Sequence, residues 1–214
     1  MEKQKSMRDP KNALEIAFTG LAAILLAGII NVQANNQSIL NQAINDSVKS
    51  IDIVDSSGIS VANPAVNFSA VSFSYTPQTT AGVIGTSNQR IRIVNPTGVS
   101  TWSAAIAGSA PGANWISGVD NYNFDNPAVG RGRLTVNPSV ATVVGLGACT
   151  TTDVNKGTAA GFDNGNVDSI TIVSASVSGD PFCRWEVQGV DLSQFIPGGQ
   201  LPGAYSVTMV LSVF

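Results

Sequence analysis

The sequence predicts an all-β protein: a single antiparallel β-sandwich, Greek-key or jelly-roll-like, following an N-terminal apolar helix. Three observations predict it. In the final stretch Tyr205, Val207, Met209, Leu211 and Val213 share one face, opposite Ser206, Thr208 and Ser212. That period of two marks a half-buried strand. About eight to ten such short runs recur from Ile59 onward, separated by turns rich in Gly, Pro, Asn and Asp. Finally, 43% of the 214 residues are hydrophobic and 12% charged, so the chain can bury a core and is not a disordered polymer.

The elements follow in order. Val66, Phe68 and Ala70 alternate, and Val71, Phe73 and Tyr75 continue in the opposite phase. The phase change predicts a bulge or kink near Ser69–Ala70. Ile91 and Ile93 face away from Arg90 and Arg92, and the turn Asn95-Pro96-Thr97-Gly98 precedes Trp102, Ala104 and Ile106. Arg90–Ile106 therefore reads as a hairpin. Residues 107–132 are polar and Gly-rich, the pattern of a long functional loop. Arg133–Val144 holds two short strands around Asn137-Pro138, and Ser169–Val177 holds another. Cys183, Trp185 and Val187 alternate with Arg184, Glu186 and Gln188, a strand with one buried face. Ile196-Pro-Gly-Gly-Gln-Leu-Pro-Gly203 is the turn before the last strand.

Ahead of this domain, Lys3, Lys5, Arg8 and Lys11 precede the uncharged run Ile16–Ile30, and Val32-Gln33-Ala34 offers small residues at a cleavage site. Residues 1–34 read as a secretory signal peptide cleaved after Ala34, or as an uncleaved membrane anchor. Both readings send the remaining chain outward, to a secreted or cell-surface location. Residues 35–58 are an arm or short helix, with Leu40, Ile44, Val48 and Ile51 at helical spacing. A strand entry at the β-branched IDIV is an equal reading. Residues 59–214 form the sandwich.

Composition narrows the function classes. Net charge is −3 with no basic cluster after the first dozen residues, which argues against nucleic acid as a partner. Membrane contact falls to the N-terminal segment, if it is uncleaved. Histidine is absent, removing the commonest general base and the commonest metal ligand. No pair of carboxylates is assignable to glycoside hydrolysis. The expectation is a protein without catalytic residues, with a glycan-active enzyme as the weaker alternative.

Three candidate sites remain. Cys149 and Cys183 are the only cysteines, and an even count in an exported chain predicts a disulfide. Trp115, Tyr122 and Phe124 punctuate the long loop and could stack on sugar rings or on a partner protein; core packing is the alternative. Asp163, Asn164, Asn166 and Asp168 offer oxygens at alternate positions, as a calcium loop does, and Asp120–Asn126 does so more loosely. Asx residues also build ordinary turns, so the cofactor expectation is none, or calcium.

Two stretches resemble a known family. Arg92-Ile-Val-Asn-Pro-Thr-Gly-Val-Ser-Thr-Trp-Ser-Ala-Ala-Ile106 and Ile196-Pro-Gly-Gly-Gln-Leu-Pro-Gly-Ala-Tyr-Ser-Val-Thr-Met-Val-Leu211 look like the WxL-type surface domains of bacteria. The resemblance implies a β-sandwich held non-covalently at the cell wall, acting in display, adhesion or binding. Trp102-Ser-Ala and Trp185-Glu-Val are not the family's Trp-x-Leu, and Val210-Leu211-Ser212 stands where the family carries a second tryptophan motif. The implied partners are cell-wall glycan or another surface protein. A basic leader, an apolar helix and Glu15 also resemble a type IV pilin, with Pro10 replacing the family's cleavage residue. That gives the alternative of a pilin-like filament subunit anchored by its N-terminal helix.

Overall fold

The computed structural model describes residues 48–110 and 112–214. They fall within the compact unit Asn45–Phe214, the second of two into which the chain divides. The expected apolar helix, the cleavage position Ala34 and most of the arm lie outside the described residues. Every described strand pairs antiparallel. Among the described residues no helix is long and apolar enough to cross a membrane.

The strands are β1 (Ser50–Val54), β2 (Gln78–Ile84), β3 (Arg90–Asn95), β4 (Trp102–Gly108), β5 (Asn114–Ser117), β6 (Asp120–Asn123) and β7 (Arg133–Asn137). There follow β8 (Thr142–Gly145), β9 (Val154–Lys156), β10 (Ala160–Gly161), β11 (Ser169–Ala175), β12 (Cys183–Gln188), β13 (Val190–Ile196) and β14 (Met209–Val213). They form four sheets: β1-β3-β12-β8, β10-β7-β13-β2, β14-β4-β11-β9 and the ribbon β5-β6. The IDIV segment inside the expected arm is β1, whose Ile53 pairs with Ile91.

The core sits where the inward faces meet. Ile91, Ile93, Trp185 and Val187 come from the first sheet, Leu134, Val136 and Val190 from the second, and Ala104, Ile106 and Ile172 from the third. Alternation along β3 and β12 carries this out: Ile91, Ile93, Trp185 and Val187 are fully buried. Strand β11 breaks the rule at a register shift between Thr171 and Val173, which turns both Ile172 and Val173 inward.

Two expectations are corrected. Arg90–Ile106 is not a hairpin: β3 lies between β1 and β12, whereas β4 lies between β14 and β11. With both edges of β3 occupied, β4 has no edge to join. The turn instead carries the chain between sheets, around the buried Asn95. Its side chain accepts from the Thr97 backbone N–H and hydroxyl, and donates to the Val99 carbonyl at 2.8 Å. The expected strand over Val66–Tyr75 has no ladder either. A run whose apolar face switches halfway cannot hold one register on a half-buried sheet. It crosses β2 as an extended strap, with the Ser69 N–H on the Ala81 carbonyl and the Thr80 hydroxyl on the Ser69 carbonyl. The pivot expected at Ser69–Ala70 is thus where the strap is pinned.

The last strand is shorter than its alternating pattern. Ser206 first exchanges backbone bonds with Ile116, and Met209–Val213 then pairs with β4. Tyr205, Val207, Met209, Leu211 and Val213 pack on the core as one half-buried face.

Cys149 and Cys183 form the expected disulfide, Cα atoms 5.6 Å apart, tying the 146–150 loop to the start of β12. The loop is also held by the Trp185 indole N–H on the Thr150 carbonyl at 2.7 Å. Asp180 accepts from the Thr150 backbone N–H and hydroxyl, which hold its carboxyl below the usual range. Gly145 lets the Cys149 carbonyl approach where a Cβ would collide with it. The bridge spans 34 residues, for which chain entropy gives about 3–4 kcal/mol. Cys149→Ser should lower the non-reducing Tm by roughly 10 °C; differential scanning calorimetry of both proteins checks it, and an unchanged Tm would contradict the expectation.

Candidate functional site

The expected binding loop is a folded hairpin. Residues 114–123 form β5 and β6, with Gly118 at φ +60° in the turn. Antiparallel pairing sets Trp115 opposite Tyr122, and their rings stack with centroids 6.1 Å apart at 16°. Phe68 of the strap meets the Trp115 ring edge-on at 5.4 Å, and Tyr205 meets Tyr122 at 5.2 Å. Phe124 packs on Phe162 at 5.0 Å.

Exposed stacking rings are therefore not what this loop presents. Trp115 and Tyr122 are each 8% exposed and Phe124 3%. The Trp115 indole N–H donates to Gln194 Oε1 at 2.8 Å, and the fully buried Gln194 donates onward to the Phe195 carbonyl. Burial pushes the Tyr122 hydroxyl up to about 12, with the nearby Tyr205 adding to it. The alternation Trp115-Ile116 against Asn121-Tyr122 was the signal of a hairpin, masked by the Gly- and Asn-rich residues around it.

These rings still wall two clefts beneath the strap. One, of about 390 Å³, is bounded by Val66, Phe68, Ile106, Trp115, Tyr205 and Leu211. The other, of about 280 Å³, is bounded by Phe73, Trp115, Tyr122, Gln194, Gln200 and Tyr205. A third, more open recess lies over Ala81–Val83 and holds Asp191, the only carboxylate lining any of the three. Apolar walls with a few amides suit a ligand with flat faces and hydroxyl edges. No family model, no curated protein and no solved structure matches the chain. Function must be read from these residues.

The two Asp-rich segments, far apart in sequence, meet in space. The Asn164 N–H donates to the Asp125 carbonyl at 2.8 Å, and Asp125 bridges to Arg133 across the sheet. Within the 163–168 loop, Asp168 Oδ1 accepts from the Gly165 N–H and Asp163 Oδ1 accepts from the Asn166 amide. These are the bonds of an Asx turn. Among the described residues, no three His, Cys, Asp or Glu side chains are gathered closely enough to enclose a metal ion. Burial, with Asp168 and Asp163 adding to it, pushes the Asp125 carboxyl above its ordinary value.

A second charged cluster escaped sequence reading. Glu186 is 3% exposed, although its place in β12 alternates with the core residues Trp185 and Val187. Arg90 and Arg92 of the adjacent β3 cover it, at 2.9 and 2.5 Å from its two carboxylate oxygens. Arg92 also donates to the Gly58 carbonyl, bringing the 55–59 turn over the same face. The only advance signal was Arg90, Arg92 and Glu186 sharing a polar-face parity on two strands whose pairing the sequence left undefined.

Proposed function

We propose that this protein is an exported surface protein with a structural or adhesive role, binding cell-wall glycan or another surface protein without catalysing a reaction. The observation that carries the reading is the Cys149–Cys183 disulfide. Such bonds form and persist in oxidising compartments and are rare in the cytosol. The basic, apolar and small-residue segments at the start of the sequence support export. The sheets share one core across their inward faces, which supports a single sandwich closed by β14. Under this reading the WxL-like stretches are scaffold: Trp102 and Trp185 pack on each other at 4.8 Å inside the core. The binding surface is the aromatic-walled pair of clefts flanking Trp115.

The test is a pull-down of the purified chain on insoluble cell-wall glycan, with mass spectrometry of the mature N-terminus. Saturable binding and an N-terminus at Asn35 are expected. An uncleaved chain recovered in ordered fibres would replace this reading with that of the filament subunit. Cleavage with no glycan retention would move the role to a protein partner.

A further inference from the structure

The 114–123 hairpin hides its aromatic rings, whereas the strap displays its own. Val66 and Phe68 are half-buried over Gly82 of β2, whose missing side chain leaves room for both. Beyond Ser69–Ala70 the alternation changes phase, and the apolar side chains come out on the other side. Val71 is 43% exposed, Phe73 45% and Tyr75 87%. Burying them would have stabilised the fold, so the fold gains nothing from this exposure. Apolar side chains gathered in a stripe, rather than scattered singly, mark a contact surface.

The rings stand on a fixed base. Phe73 and Tyr75 meet edge to face, with centroids 4.9 Å apart at 83°. Between them Ser74 is half-buried: its carbonyl accepts from the Gly199 N–H at 2.8 Å, and its hydroxyl accepts from the Thr76 N–H at 3.0 Å. Gly198 lies so close to the Tyr75 carbonyl that a Cβ there would collide with it. The 196–203 turn thus clamps the end of the strap and continues into the cleft that Phe73 borders. There Gln200 donates to the Tyr205 hydroxyl at 2.7 Å, and that hydroxyl donates to the Leu201 carbonyl at 2.9 Å. Gln200 Oε1 is left as an acceptor, and Ser72 and Gln78 add a hydroxyl and a second amide. The side chains lining this cleft include no Asp, Glu, Lys or Arg.

We propose that Phe73, Tyr75 and Gln200 form a subsite for an uncharged sugar ring, so that the wall component recognised is a neutral glycan chain rather than an anionic polymer. This rests on the glycan-binding reading above and names the chemistry it selects. A sugar ring has apolar C–H faces and an edge of hydroxyls. The faces pack on the Phe73 and Tyr75 rings, and the hydroxyls bond to the Gln200 amide and the Ser72 hydroxyl. A polymer bearing phosphate or carboxylate needs basic side chains to offset its charge. The cleft has none, and the net charge of −3 on the chain repels it further. A pure hydrocarbon would cover Gln200 Oε1 and the Ser72 hydroxyl without pairing them, which is costly.

The experiment is retention of the purified chain on insoluble cell-wall glycan, before and after acid stripping of phosphodiester-linked polymers, at low salt and at roughly 1 M sodium chloride. The parent should be retained on both preparations, with salt changing its affinity by no more than about twofold. Tyr75→Ala, at an 87% exposed position, should keep the parent's Tm and bind about tenfold more weakly. Tyr75→Phe, which keeps the ring, should restore most of the binding. Gln200→Leu, which removes the acceptor at similar volume, should weaken it. Retention that depends on the stripped polymers, or that salt abolishes, would overturn the neutral-sugar proposal while leaving wall binding intact. Undiminished retention of Tyr75→Ala would place the wall contact elsewhere and overturn it too. A parent that neither preparation retains would overturn the glycan reading itself, and this subsite with it.

Discussion

Trp115→Ala is expected to cost about 3–5 kcal/mol and lower Tm by roughly 10 °C, the range for removing a large aromatic side chain from a core. Three effects add. The substitution empties the space between Phe68 and Tyr122, removes two aromatic contacts, and strands Gln194 Oε1 in the interior. Trp115→Phe separates them: it keeps much of the packing and leaves the amide unpaired, at about 1–3 kcal/mol. Chemical denaturation of the three proteins checks the order. A Trp115→Ala chain as stable as the parent would mean that the ring is a surface feature.

Glu186→Ala is the second large effect, expected near 3–5 kcal/mol because it leaves two arginines facing each other without their shared counter-ion. Arg90 and Arg92 keep 25% and 21% of their side chains exposed, so water compensates in part and the lower end of that range is expected. The pair also gives a pH signature. Burial raises the Glu186 carboxyl, but the hydrogen bonds from Arg92 and Arg90 outweigh it and hold the group below its ordinary 4.5. A carboxyl depressed in the folded state contributes stability above its unfolded value and loses it as pH falls through the folded value. The parent should therefore lose stability on acidification from about pH 4.5 downward. Glu186→Gln should lack that component. Asp125 shifts upward and works in the opposite sense, so the difference between parent and Glu186→Gln is the quantity to follow. Identical acid profiles would mean that the ion pair is not formed in solution.

Strand positions were legible wherever one face is buried and the other wet. Ile91 and Ile93, Trp185 and Val187, and the half-buried face from Tyr205 to Val213 all follow from a period of two. Turn chemistry located the breaks, as at Asn95-Pro96 and at Ile196–Gly203. The disulfide was legible for a simpler reason: two cysteines allow a single intramolecular pairing. The strap over Val66–Tyr75 alternates like a strand without being one, because alternation within a run reports a side-chain pattern, not the presence of a neighbouring edge.

The candidate sites were less legible. Trp115, Tyr122 and Phe124 lie in a polar, Gly-rich stretch, where composition leaves exposed stacking and core packing both open. Whether such a ring is covered depends on Phe68 and Tyr205, which are brought over it from distant parts of the chain. Asp125 had the same difficulty. Its residue type suggested a turn or a ligand, but only the meeting of the 124–126, 132–134 and 162–164 segments shows it buried and without a partner.

The sequence by itself determined the all-β class, the inward and outward faces of most strands and the identity of the cysteine pair. Each depends on neighbours along the chain or on a count of residues. The tertiary structure decided which strands share a sheet, that β3 and β4 part company, and that the loop aromatics are core. It also brought the two Asp-rich segments together. Those outcomes depend on free edges and long-range pairing, which local alternation and turn residues do not encode.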